Sequence, residues 1–205
     1  VRKPRGPVIE FIRQQPLGAV SFLIIVAMMF AGIFSALVAP YDPLTIDFAQ
    51  ILAPPSWEHW CGTDAFGRDI CSRLIYGSRT ALVIGFASSF IGSTLGAILG
   101  VASAYFGGRI DNIIQRFMDI LLAFPLIVLA LVVVAAFRRF VLGGVDVNLI
   151  LAIAIPIIPR VARVVRAAAL GVRVMPYVDA ARAAGYSNSR IIFRHMAPNV
   201  VAPYL

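Results

Sequence analysis

From Leu17 to Ala39 the chain carries no charged residue and no proline. At 1.5 Å per residue, a helix of that length outreaches the roughly 30 Å hydrocarbon core of a bilayer, so the stretch reads as a membrane-spanning helix. It is too long for the apolar core of a cleaved signal peptide, about 7 to 15 residues, despite Arg2, Lys3, Arg5 and Arg13 before it. Three more apolar stretches follow, and 60% apolar against 14% charged residues is more than a soluble domain of 205 residues could hide from water. The expected fold class is therefore all-α: a polytopic membrane helix bundle of about four spanning helices.

The second span is expected over Thr80 to Phe106, which is uncharged. Gly92, Gly96 and Gly100 recur there at four-residue spacing, on one helix face, and predict a helix-packing seam where backbones approach closely. The third runs from about Phe117 to Phe137, with Pro125 as a kink. The fourth is less clean, because Val147 to Pro159 gives only 13 uncharged residues before Arg160, Arg163 and Arg166. It must begin earlier, near Phe140, or let the arginines snorkel to an interface, where they would act as positive-inside anchors. Asp119, near one end of span three, reads as an interfacial or arginine-paired acid. No second carboxylate accompanies it within the spans to form a proton relay.

Lysine and arginine placement sets the expected orientation. The bases ahead of Leu17 put the N-terminus in the cytoplasm, and four crossings return the chain there. Arg160, Arg163, Arg166, Arg173, Arg182, Arg190 and Arg194 then face Asp179 as the lone acid. Arg138 and Arg139 fall on the outer side, a minor discord. The net charge of +8 thus follows membrane topology, and no basic-aromatic platform for nucleic acid is present.

Residues 40–79 become an external segment, with prolines at Pro40, Pro43, Pro54 and Pro55. Its second half, with Ile70, Leu74 and Ile75 at helical spacing, predicts a short amphipathic helix at the outer interface. Cys61 and Cys71 lie in this segment, where oxidation is allowed. Ten residues apart, they could pair or remain as two free thiols, and they give no metal-ligand spacing. Glu58, His59 and Trp60 suggest interfacial anchoring rather than a metal site.

The stretch Tyr177–Asn199, YVDAARAAGYSNSRIIFRHMAPN, is not a span. Ala180, Ala181, Ala183 and Ala184 favour a short helix with Asp179 near its positive end, and Gly185 permits a sharp turn. A second helical turn follows, with Ile191, Ile192 and a basic face of Arg190, Arg194 and His195, until Pro198 stops it. Small residues let a partner surface approach, which is docking chemistry rather than catalysis. His195 has no partner ligands nearby and reads as a surface or packing histidine.

This spacing, Asp179-Ala180-Ala181, three residues, Gly185, then Pro198, resembles the EAA loop of binding-protein-dependent ABC importer permeases. GTDAFGRD at Gly62–Asp69, SRLIYGSR at Ser72–Arg79, YFGGRID at Tyr105–Asp111 and DILLAFPLIVLA at Asp119–Ala130 extend the likeness over nearly the whole chain. Together they resemble the C-type permease subunit of dipeptide and oligopeptide importers, a subfamily that includes nickel permeases. Asp179 stands where the pattern has Glu, His195 where it has Ile, and Ala197 where it has Leu.

The resemblance implies a type I ABC importer permease transmembrane domain over residues 1–205, partial because the family continues through further spans. It also implies an external 40–79 segment and a cytoplasmic coupling loop at 171–199. In that reading Asp179, Ala180, Ala181, Gly185, Arg190, Arg194 and Pro198 couple to the ATPases. The implied partners are a second permease subunit, two ATP-binding cassette ATPases, an extracytoplasmic substrate-binding protein and the lipid bilayer of the cell inner membrane. No cofactor is implied. The chain should bind no nucleotide itself, having no G-x-x-x-x-G-K-[ST] loop and Lys3 as its single lysine. A self-contained secondary transporter or channel is disfavoured by scarce intramembrane acids and the lack of visible inverted repeats. A membrane enzyme is disfavoured because no nucleophile–base set or intramembrane carboxylate pair is present.

Overall fold

The computed structural model of the chain describes residues 14–137, 139–142 and 144–200. Arg2, Lys3, Arg5, Arg13, Arg138 and Leu205 lie outside the described residues. The chain divides into two compact units, residues 1–83 and 84–205.

In the first unit α1, Pro16–Ile33, opens with proline at its first turn, where the missing N–H costs nothing. Its side chains are apolar all round and mostly exposed, as lipid contact requires. The expected uninterrupted span to Ala39 is broken at Phe34, and a short α2, Ser35–Val38, follows. Gly32 is the buried residue of α1. A side chain there would meet the Arg79 backbone at 3.0 Å, so glycine lets α1 touch the first turns of α3, Ile70–Phe106.

The 40–79 segment is held by local polar bonds. Cys61 and Cys71 form a disulfide with Cα atoms 5.3 Å apart, which settles the pairing left open by the sequence. Closing a loop this short stabilises by on the order of 2–3 kcal/mol. Burial opposes ionisation of Asp64, but the backbone N–H groups of Phe66 and Arg68 and the Arg68 guanidinium hold its carboxyl below the ordinary 3.8. Arg73 pairs with the same carboxylate. Burial likewise works against Asp69, and donors from Ser72 together with His59 at 3.0 Å overcome it and lower its pKa. Both contributions are present above pH 3.8 and are lost as pH falls through the lowered values. Trp57 and Trp60 project outward, 96% and 72% exposed.

The separate amphipathic helix expected around Ile70–Ile75 does not form; those residues are the opening turns of α3. No proline interrupts Ile70–Thr80, so the helix continues unbroken for 37 residues, about 55 Å.

In the second unit, Gly107 (φ +63°) and Gly108 (φ +52°) reverse the chain in a conformation that side chains resist. Amphipathic α4, Gly108–Ala123, and wholly apolar α5, Leu126–Ala136, follow. The predicted kink at Pro125 is a complete break: the two helices are bent by 99°. Proline disfavours helical geometry in the residue before it, and Phe124 is extended at φ −83°, ψ 137°.

A two-stranded ribbon, β1 Val141–Leu142 and β2 Val145–Asp146, leads into α6, Val147–Arg173. The fourth span therefore begins at Val147 and not near Phe140, because Asp146 caps it by accepting from the Asn148 N–H at 3.0 Å. Arg139 reaches back to Asp146 at 3.2 Å. Pro156 and Pro159 lie buried inside this helix.

By length and composition α1, α3 and α6 can each cross a membrane, and the bent α4–α5 pair makes four if it is one span. The glycines set how α3 meets α6. A Cβ on Gly92 would lie 2.8 Å from the Ala154 carbonyl oxygen, on Gly96 2.7 Å from that of Ile158, and on Gly100 2.5 Å from that of Ala162. Each four-residue step on α3 matches a four-residue step on α6 in the same direction, so the two helices run parallel. The intervening α4–α5 must then return the chain from the end of α3 to the start of α6.

Candidate coupling site

Polar bonds join the ends of α3, α4 and α6. Arg166 of α6 grips Asp111 of α4 through two hydrogen bonds of 2.7 and 2.5 Å, and Ser103 of α3, fully buried, donates to the same carboxylate. Gln115 donates to Ser103 at 2.9 Å, and Arg163 pairs with Asp119 two turns along α4. Arg163 and Arg166 are thus cross-helix partners, a role their expected place as membrane anchors did not include, and Asp119 is an arginine-paired acid. Removing one member of such a half-buried pair strands the other, which generally costs more than the pair itself contributes.

Beyond α6 the chain folds back against this end of the unit. α7, Pro176–Ala183, has proline at its first turn and Asp179 near its N-terminus. Asp179 pairs with Arg182 at 2.9 Å; the pair is exposed and contributes at most about 1 kcal/mol. What seats α7 is its apolar side: Val178 and Ala181 are buried with Val101, Ala104 and Tyr105 of α3, Val165 and Ala169 of α6, and Ile191, Met196 and Val200 beyond the turn. Asp179, Ala180, Ala183 and Ala184 face outward. Ala181 therefore packs the helix onto its own chain, and within α7 the small residues left exposed beside Asp179 are Ala180 and Ala183.

The turn at Gly185 has a defined geometry. Gly185 takes φ +74°, its N–H donates to the Arg182 carbonyl at 2.9 Å, and the Tyr186 N–H donates to that of Ala181 at 3.1 Å. This is a Schellman closure, which favours glycine because side chains resist the left-handed conformation. Ser187 then caps the short α8, Asn188–Arg190, which passes into a π-helical turn, Ile191–Met196, and a 3₁₀ turn, Ala197–Val200.

Pro198 does not stop the helix as expected. It sits exposed inside the 3₁₀ turn, near the start of a segment whose first N–H groups need no internal partner. Arg190 and Arg194 are exposed, with Arg190 lying 4.1 Å over the Tyr186 ring. His195 leaves their face and stacks on Tyr186 at 5.9 Å, because the wider π winding turns it inward. Tyr105 and Asn188, joined by a 2.7 Å hydrogen bond, were not singled out by the sequence. Their 83-residue separation gave no local signal.

Parallel apolar helices, with a short polar helix and a glycine turn folded against their end, define a polytopic helical membrane protein. The chain belongs to the family of binding-protein-dependent transport system inner membrane components, whose family model matches residues 80–205. It is 38% identical over 198 residues to the dipeptide transport system permease protein DppC of Alkalihalophilus pseudofirmus, covering 95% of this chain and 62% of that protein. A putative peptide transport system permease protein of Brucella suis is 42% identical over 189 residues, 90% of this chain and 62% of its own length. The glutathione transport system permease protein GsiD of Escherichia coli is 37% identical over 203 residues, 98% of this chain and 65% of its own length. The chain thus spans somewhat under two thirds of the length of these relatives.

Proposed function

We propose that this chain is part of a permease subunit of an ATP-driven importer, in the inner membrane, for di- or oligopeptides. With a second permease subunit it forms half of the translocation path. An extracytoplasmic binding protein delivers substrate to it, and two ATPase subunits engage the 171–199 segment. The observation that carries this reading is the outward face of Asp179, Ala180 and Ala183, mounted on a glycine hinge and backed by the core shared with α3 and α6. ATPase closure displaces this handle, and the parallel α3–α6 pair conveys the movement along its length as a rigid body. The work of the chain is mechanical rather than catalytic.

The N-terminus and the coupling segment lie in the cytoplasm, and residues 40–79 lie outside. The parallel sense of α3 and α6 supports opposite sides for the coupling segment and residues 40–79, since it requires a return crossing between the helices. The Cys61–Cys71 disulfide, which suits an oxidising compartment, favours the outer side for residues 40–79. Peptide relatives at 38% and 42% identity favour peptide cargo over nickel.

Two measurements test the proposal. The full-length subunit, reconstituted with its ATPases, partner permease and binding protein, imports peptide only when ATP is supplied; uptake by the isolated subunit without ATP contradicts it. In whole cells, Cys71 is labelled by a membrane-impermeant thiol reagent applied outside, and only after reduction. Labelling confined to reagent applied from the cytoplasmic side reverses the orientation.

A further inference from the structure

Both sides of the Gly185 hinge converge on one side chain of α3. Tyr105, in the last turn of that helix and 8% exposed, donates its hydroxyl proton to Asn188 Oδ1 at 2.7 Å, just after the hinge. The Arg182 guanidinium, just before the hinge, lies 5.4 Å over the same ring and is itself held by Asp179. One residue back, the Ala104 carbonyl, left without a helical partner at the end of α3, accepts from Arg173 of α6 at 3.0 Å. The surrounding contacts of Val101, Ala104, Val178 and Ala181 are apolar and can slide. A hydrogen bond and a cation over a ring fix direction and register.

We propose that Tyr105 is the positioning residue that transmits displacement of the hinge into α3. The proposal rests on the coupling role given to this segment and adds the link by which the segment grips a spanning helix. Pulling on Asp179 loads Arg182, moving the hinge carries Asn188, and both act on the Tyr105 ring. Gly100, five residues earlier, then passes the motion to α6 through the close backbone contact with Ala162.

The test uses the full-length subunit in its complete importer and reads peptide imported per ATP hydrolysed, a ratio that loss of folded protein alone does not change. Tyr105→Phe keeps the ring and removes the hydroxyl; Asn188→Ala removes the acceptor from an exposed position. Each is expected to lower the ratio by about three- to tenfold, the factor that corresponds to one lost, partly buried hydrogen bond. The double variant should be no worse than the poorer single one, because both remove the same contact.

A wild-type ratio in Tyr105→Phe, or single effects that multiply in the double variant, overturns the proposal. Should Tyr105→Phe fail to accumulate, Asn188→Ala alone decides: a lowered ratio supports the link and a wild-type ratio overturns it. Gly185→Pro, measured in parallel, separates the two levels. If it abolishes uptake while Tyr105→Phe behaves as the parent, only the Tyr105 link falls; if it too imports normally, the coupling role of the segment falls.

Discussion

Gly100→Val will prevent the subunit from being recovered as folded protein, whereas Gly85→Ala will leave it intact. The Cβ of any residue at position 100 would sit 2.5 Å from the Ala162 carbonyl oxygen and 3.0 Å from the Arg166 backbone nitrogen. Neither is a flexible side-chain end, so relief requires α6 to move away from α3. Such movement breaks the apolar core at Val165 and Ala169 and pulls Arg166 from Asp111. Overpacking alone costs about 1–3 kcal/mol, and a β-branched residue with further atoms lies at or beyond the upper end. At Gly85 nothing lies within 4 Å of the added carbon, and alanine gains about 1 kcal/mol of helix propensity. Monodispersity after detergent extraction and the midpoint of thermal unfolding read the difference. Equal behaviour of the two variants would show that the seam is not closely packed.

Gly185→Pro will abolish ATP-dependent uptake while membrane insertion persists. Proline fixes φ near −65°, and the hinge needs +74°. It also deletes the N–H that closes the Schellman turn on Arg182. Nothing lies within 4 Å of a Cβ at Gly185, so the substitution meets no neighbour directly, and the contacts between α3 and α6 at Gly92, Gly96 and Gly100 do not depend on this turn. The turn therefore fails locally: α8 and the basic pair Arg190 and Arg194 are redirected relative to the face of Asp179. Gly185→Ala meets no atom and carries only the left-handed penalty, about 1–2 kcal/mol, so partial uptake is expected. Uptake and membrane content measured on the same cells give the comparison, and normal uptake by the proline variant would remove the hinge from the mechanism.

The spanning helices were legible because a run of about 20 uncharged, mainly apolar residues leaves a helix no polar side to turn toward water. Gly185 was legible too, since a glycine after a run of alanines is a helix-closing signal that depends only on local backbone physics. Properties set by distant partners were not. Arg163 and Arg166 look like membrane anchors in sequence, and only folding brings Asp119 and Asp111, on a different helix, within reach. Gly92, Gly96 and Gly100 announced a seam without naming α6, because spacing defines a face and not what it meets.

Pro125 was visible, but a kink and a break differ in how neighbours accept the freed carbonyls, which lies outside the local pattern. The π winding that turns His195 inward and carries Pro198 past an expected stop follows from packing Ile191 and Met196 into the shared core. Ala181, read as part of a docking face, proved to be the inner side of its helix, since a run of small residues does not reveal which side is covered.

If the outward face of α7 is gripped by a nucleotide-hydrolysing partner, a cross-linker placed on that face will capture it. Ala183→Cys introduces an exposed thiol while Cys61 and Cys71 remain engaged with each other. In the assembled full-length complex, a short bifunctional thiol reagent should join position 183 to an ATP-hydrolysing subunit, with a yield that changes between ATP-bound and nucleotide-free states. A cross-link map in which position 183 meets no such subunit under either condition would show that α7 is not where an ATPase engages this chain.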